Sequence, residues 1–168
     1  FMMVVCHELG HHIGGAPTKG QGSPWASNEG QSDYFASLKC MRRVLEKDDN
    51  ISIVSKMTVD AEVTTKCGLI YKSASEVALC QRIAMAGKSL AQLLGELGGT
   101  ANISFTTPDA TKVTMTNPNH PKAQCRLDTY FQGMLCDKSI DEEVSHEDSI
   151  PGTCIKKDGH QFGVRPLC

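Results

Sequence analysis

The chain has 168 residues, a net charge of −2 and 40% apolar residues, which suits one globular domain with enough length to bury a core. The near-neutral charge, the absence of a Lys/Arg cluster and the few aromatic residues argue against a nucleic-acid partner, and no apolar run reaches membrane-spanning length. Eight cysteines, even in number, scattered and never paired as CxxC, favour disulfides over free buried thiols or a zinc ribbon. They place the chain in an oxidising, extracytoplasmic setting, secreted or periplasmic, and leave the pairing open.

The first element is an apolar run leading into His7-Glu8-Leu9-Gly10-His11 and stopping at Gly14-Gly15. On a helix, residues four apart share a face, so His7 and His11 are able to hold one metal ion between them. Glu8 lies beside the first histidine, where its carboxylate is placed to take a proton from a metal-bound water. This is the HExxH pattern of zinc peptidases, with two histidine ligands and a glutamate general base. The same five residues also occur on helices that merely carry two histidines, so the rest of the chain must supply a third ligand. Gly10 costs a helix about 1 kcal/mol relative to Ala, which points to another constraint on this segment. Phe1 already falls inside the helix, with no signal peptide or initiator Met before it, as expected of the C-terminal part of a longer precursor.

A polar, Gly/Pro-rich connector follows from Ala16 to Ala26 and holds the single tryptophan, Trp25. Ser27 or Asn28 is a suitable N-cap for a second helix to about Lys47, ended by Asp48-Asp49-Asn50. Residues 51–70 mix β-branched runs with helical spacing and read as helix. Ser73-x-x-Glu76 is a capping box that opens a long amphipathic helix closed by Gly98-Gly99. Gly87 in its middle is expected to permit close packing against another helix. Residues 100–121 read as a surface loop or weak hairpin, with short alternating stretches at Ile103 to Thr107 and Val113 to Thr116. Pro121 suits a helix start, and a fourth helix runs to about Cys136. Cys125 and Cys136 lie roughly 16 Å apart along that helix, too far to join each other, so each is expected to reach a different segment. The tail, residues 137–168, is poor in apolar residues and is expected to be held to the body by disulfides.

The second helix offers the missing ligand. Asn28-Glu29-Gly30-Gln31-Ser32-Asp33 places Glu29 and Asp33 on one helical face that continues as Ala36, Cys40 and Val44. Two carboxylates at the end of an apolar stripe are costly unless a cation and a hydrogen-bond donor compensate. A metal ion on Glu29 and an imidazole N–H on Asp33 would do so; the alternative is a solvated acidic helix start.

HExxH followed by a helix bearing ExxxD resembles the gluzincin family of zinc metallopeptidases, and Asn28-Glu29-x-x-Ser32-Asp33 looks like its thermolysin version. His120-Pro121-Lys-Ala-Gln-Cys-Arg126 is similar to the HPxxxxR segment of the minigluzincins. The resemblance implies one catalytic Zn2+ on His7, His11 and Glu29, with Asp33 orienting a histidine, Glu8 as general base, His120 donating to the oxyanion and Arg126 ordering the site. Tyr130, one turn beyond Arg126, is a rival oxyanion donor; His12, His146 and His160 read as surface or structural residues. The implied activity is that of a zinc-dependent endopeptidase acting on a peptide or protein substrate. The implied fold is mainly α: a zincin-like core of HExxH helix, ExxxD helix, long amphipathic helix and fourth helix, with little β. Residues 1–168 then form a single catalytic domain, or its C-terminal part. The upstream sheet of a zincin and the membrane spans of many minigluzincins are missing, and the cysteines and tail lie outside the resemblance. A zinc-binding but inactive domain, or a secreted disulfide-rich interaction module, are the competing readings of the same residues.

Overall fold

The computed structural model describes residues 1–19, 23–100, 102–115 and 119–168, with the backbone only for Ser23 and Pro24. Helix α1, Met2–Ile13, buries Met3, Cys6, His7 and Gly10 on one face. Its opposite face leaves Met2, Val4, Val5, Leu9 and Ile13 exposed. The chain turns at Gly15, whose φ of +81° is a conformation that side chains disfavour, and where a Cβ would sit 2.8 Å from the Ser145 carbonyl oxygen.

The expected polar connector holds a short antiparallel pair, β1 (Thr18–Lys19) and β2 (Ser23–Ser27), with Thr18 opposite Ser27. The connector's residues 20–22 lie outside the described residues. Asn28 rather than Ser27 caps the next helix, accepting from the Gln31 amide at 2.7 Å. That helix runs as α2 (Glu29–Phe35), a π turn (Ala36–Cys40) and α3 (Met41–Leu45). It stops short of the expected Lys47. Residues 51–70 are largely helical, as two pieces: α4 (Asn50–Val54), capped by Asp49, and α5 (Ala61–Ile70), capped by Asp60. The capping box opens α6 (Ala74–Leu97) with both of its reciprocal bonds formed, and Gly98 ends it. In residues 100–121 no strand forms among the described residues; Ile103 and Phe105 fold into the core, and Thr116 of the second alternating stretch lies outside the described residues. Helix α7 spans Ala123–Leu135 from an N-cap at Lys122, so Pro121 precedes the helix instead of starting it.

The fold is mainly helical. Helix α2 with its π turn lies between α1 and α7, and α6 packs on α7 from behind. Glycines set these approaches. A Cβ at Gly87 would sit 2.9 Å from Tyr130 Cβ, and one at Gly133 would sit 2.6 Å from the Tyr34 carbonyl oxygen. The core between the helices holds Ile83, Leu127, Tyr130, Met134 and Leu135, all at most 2% exposed, each worth about 1.5–3 kcal/mol of burial where its side chain is apolar.

All eight cysteines are paired. Cys6–Cys40 ties α1 to the π turn, and Cys67–Cys80 ties α5 to α6. Cys125–Cys168 and Cys136–Cys154 fasten the tail to the two ends of α7, as the spacing of Cys125 and Cys136 requires. Four disulfides indicate an oxidising, extracytoplasmic environment. No helix among the described residues is long and apolar enough to cross a membrane.

Candidate metal centre

The site forms where α1 crosses the start of α2. The two helices meet at Gly10: a Cβ there would sit 2.9 Å from both the Cα and the carbonyl oxygen of Ser32. The residue that weakens α1 as a helix is the one that lets α2 reach it. The Cys6–Cys40 bridge, beside His7, fixes the same pair of segments.

That approach sets His7, His11 and Glu29 around one point, with a ligand atom from each within 4.8 Å of the others. His7 Nε2 is 3.3 Å from Glu29 Oε2, and His11 Nε2 is 3.5 Å from Glu29 Oε1. Both imidazoles are turned by their other nitrogen. His7 Nδ1 donates to Asp33 Oδ1 at 2.7 Å, and His11 Nδ1 donates to the Ser27 carbonyl at 2.8 Å with Ser32 Oγ at 2.9 Å. With Nδ1–H committed in each ring, it is Nε2 of each histidine that faces the Glu29 carboxylate. Glu29 is 2% exposed, and its buried Oε2 accepts no hydrogen bond among the described residues. Three electron-rich groups so arranged repel one another unless a proton or a cation lies between them.

The electrostatics say the same. Burial lowers the His7 pKa, but the hydrogen bond to Asp33 and the adjacent Glu29 carboxylate outweigh it and bring the value up to about 9. Burial works to raise the Glu29 carboxyl, yet His7 and Lys19 hold it well below the usual carboxylate range. A tetrahedral zinc with ligands at about 2.0–2.1 Å separates neighbouring donor atoms by about 3.3–3.5 Å. The two separations, each to a different oxygen of Glu29, fall in that interval, and one ligand atom from each residue lies within 4.8 Å of the others, so the residue types and their spacing are compatible with such an ion.

Behind His7 runs a buried chain of partners. Arg126 grips Asp33 with two bonds, Nε to Oδ2 at 2.9 Å and Nη2 to Oδ1 at 2.7 Å, and Nη2 also donates to the Tyr130 hydroxyl at 3.1 Å. Burial disfavours the guanidinium charge, and Asp33 more than restores it. Arg126 is 7% exposed and holds Asp33 on the side away from solvent. Tyr130 is fully buried, and burial together with Asp33 raises its pKa. Its hydroxyl is enclosed by the core, which removes it as an oxyanion donor.

Two further candidate residues, Glu8 and His120, are exposed. Glu8 is exposed on α1 and makes no side-chain hydrogen bond or ion pair among the described residues. His120 is 76% exposed and holds Nε2 3.4 Å from Glu29 Oε2. Lys19 of β1 also reaches the centre, its Nζ 2.9 Å from Glu29 Oε1. Sequence reasoning missed Lys19, which sits in the connector with no periodicity to mark it; it gave Ser27 only a possible capping role and Ser32 only a place in the motif, not the contacts they make with His11. His12 stands apart from the centre and stacks on Trp25 with ring centroids 5.1 Å apart. Asp137, Cys154 and His160 also converge, but Cys154 is spent in a disulfide and offers no thiolate.

No family model matches the chain, and no curated protein or solved structure is significantly similar to it. Chemically, the arrangement is able to hold one divalent ion on two neutral imidazoles and a carboxylate, with the exposed imidazole of His120 at its edge.

Proposed function

We propose that the chain is the catalytic part of a zinc-dependent endopeptidase of gluzincin type, working outside the cytoplasm. The observation that carries this reading is the convergence of Nε2 of His7 and of His11 on the two oxygens of one buried carboxylate, whose Oε2 accepts no hydrogen bond among the described residues. His7, His11 and Glu29 would hold the ion, with Asp33 and Arg126 setting the His7 ring and Ser27 setting that of His11. A zinc ion there supplies Lewis acidity to a peptide carbonyl and to a water molecule. Glu8 accepts the proton of the attacking water and delivers it to the leaving amine. His120, at the solvent edge, donates to the developing oxyanion; one such donor is typically worth about 10²–10³ in rate. The buried Arg126–Asp33–His7 chain keeps His7 in one tautomer throughout.

Zinc per chain, measured by elemental analysis on the parent and on Glu29→Ala, is the primary test, followed by peptide cleavage by Glu8→Ala. The expected results are one zinc in the parent, much less in Glu29→Ala, and a Glu8→Ala protein that keeps zinc but loses turnover. A folded, disulfide-intact parent without zinc overturns the reading in favour of an interaction module. Zinc with persistent silence toward peptides leaves an inactive metal-binding domain.

A further inference from the structure

Around the corner of α2 from the metal centre lies a second concavity, a cleft of about 490 Å³, within the size range of small-ligand pockets. Its walls come from α2 (Gln31), α7 (Cys125, Thr129), the loop before α7 (Val113) and the tail (Arg165, Leu167). It connects to the metal centre through chain neighbours. Asn28 and Gly30, which flank Glu29, line it, as do Asn119 and Pro121, which flank His120.

Arg165 is the charged residue of this wall. Its Nη1 donates to the Ala16 carbonyl at 2.9 Å and to Gln31 Oε1 at 2.5 Å, and Nη2 donates to the Ser149 carbonyl at 2.8 Å. Every one of these acceptors is neutral. Among the described residues no carboxylate lies within ion-pair distance of Arg165; the same holds for Arg42, which lies outside the cleft, whereas Arg43, Arg82 and Arg126 each have one. Burial pulls against its charge, and the Tyr34 ring 5.7 Å from the guanidinium is a weak substitute for an anion. A guanidinium has five N–H donors, so donors remain beyond the three bonds formed. A cation in a half-closed apolar cleft without a counter-charge attracts a carboxylate strongly.

We infer that this cleft is a substrate subsite for a carboxylate-bearing group of the peptide, with Arg165 as its specificity-determining residue. The inference deepens the peptidase reading and rests on it for calling the bound group substrate. The carboxylate is that of an acidic side chain or of the peptide C-terminus, and the two are separable by experiment.

The test uses four versions of one N-acetylated pentapeptide, with glutamate or glutamine at its centre and a free or amidated C-terminus. Binding to the zinc-loaded Glu8→Gln chain is measured by calorimetry, so that cleavage does not intrude. The version or versions bearing the recognised carboxylate should bind about 10- to 100-fold more tightly than the fully neutral peptide, the worth of a hydrogen-bonded charge. Arg165→Gln should abolish that preference and Arg165→Lys should keep part of it. Because Arg165 also braces the tail, Leu167→Asp serves as a second variant: it adds a carboxylate at an exposed lining position, leaves the bonds of Arg165 in place, and should cancel the preference too. Equal binding of all four peptides to the Glu8→Gln chain overturns the inference, as does a preference that survives both Arg165→Gln and Leu167→Asp. Cleavage by the parent chain is scored separately. Cleavage without a carboxylate preference refutes the subsite alone, and a preference without cleavage refutes the peptidase reading alone.

Discussion

Gly10→Ala is the substitution for which local and tertiary physics give opposite signs. Helix propensity alone favours Ala at an interior position by about 1 kcal/mol. In the folded chain, however, the new Cβ lies 2.9 Å from Ser32 Cα and carbonyl oxygen and 3.2 Å from Ser32 Cβ. Carbon atoms pack at about 3.5–4.0 Å, so α1 and α2 must part by roughly 0.6 Å or more at their crossing. Overpacking of this kind costs about 1–3 kcal/mol, which offsets the propensity gain and leaves a net loss of up to about 2 kcal/mol. The metal centre feels the shift more sharply, because its donor atoms sit on both helices at 3.3 and 3.5 Å. A displacement of this size is expected to weaken zinc binding about 10- to 100-fold, the usual cost of disturbing the groups that orient ligands. Urea unfolding of the metal-free protein and a competition titration with a zinc chelator measure the two effects. A Gly10→Ala chain that is more stable than the parent and binds zinc equally well would refute the packing argument.

The buried pair behind His7 gives a second test. Asp33→Asn leaves Arg126 as a buried charge without its partner, and should cost about 3–5 kcal/mol in urea unfolding; a loss under about 1 kcal/mol would mean that the pair does not hold the site. A third concerns pH in the metal-free chain. The His7 pKa is raised from 6.5 to about 9, so its contribution is complete below pH 6.5 and is lost as pH rises through about 9. The decline amounts to roughly 3 kcal/mol at most. Thermal unfolding across that window should show stability falling in the parent and much less change in His7→Gln. A flat profile in the parent would contradict the proposed contacts.

The histidines and carboxylates of the centre were legible because each pair is local. A four-residue spacing on a helix places His7 with His11, and Glu29 with Asp33, whatever the rest of the chain does. That the two pairs face each other depends on Gly10, and the sequence showed only that this glycine was a poor helix residue. Lys19 was not legible: the strand that presents it is two residues long and exists only through pairing with β2. The π turn escaped for a similar reason, since its extra residue changes hydrogen-bond register without disturbing the apolar pattern that marks a helix. Tyr130 stood as a rival to His120 because helical spacing from Arg126 gives proximity but not depth, and its full burial was not legible. The disulfides were foreseeable as a set, and the spacing of Cys125 and Cys136 required separate partners, but which cysteines met depended on the packing of helices far apart in sequence.

The bridge from Cys6 to Cys40 closes a segment that contains all three metal-directed side chains and Asp33. The surfaces around them, including His120, the 102–115 loop and the disulfide-fastened tail, come from the far half of the chain. Such a division of labour lets the two parts diverge at different rates. Changes in loop and tail length could alter what enters the cleft while the stapled first segment keeps its geometry, so related chains would be expected to share the spacing from Cys6 to Cys40 more faithfully than anything downstream of α6.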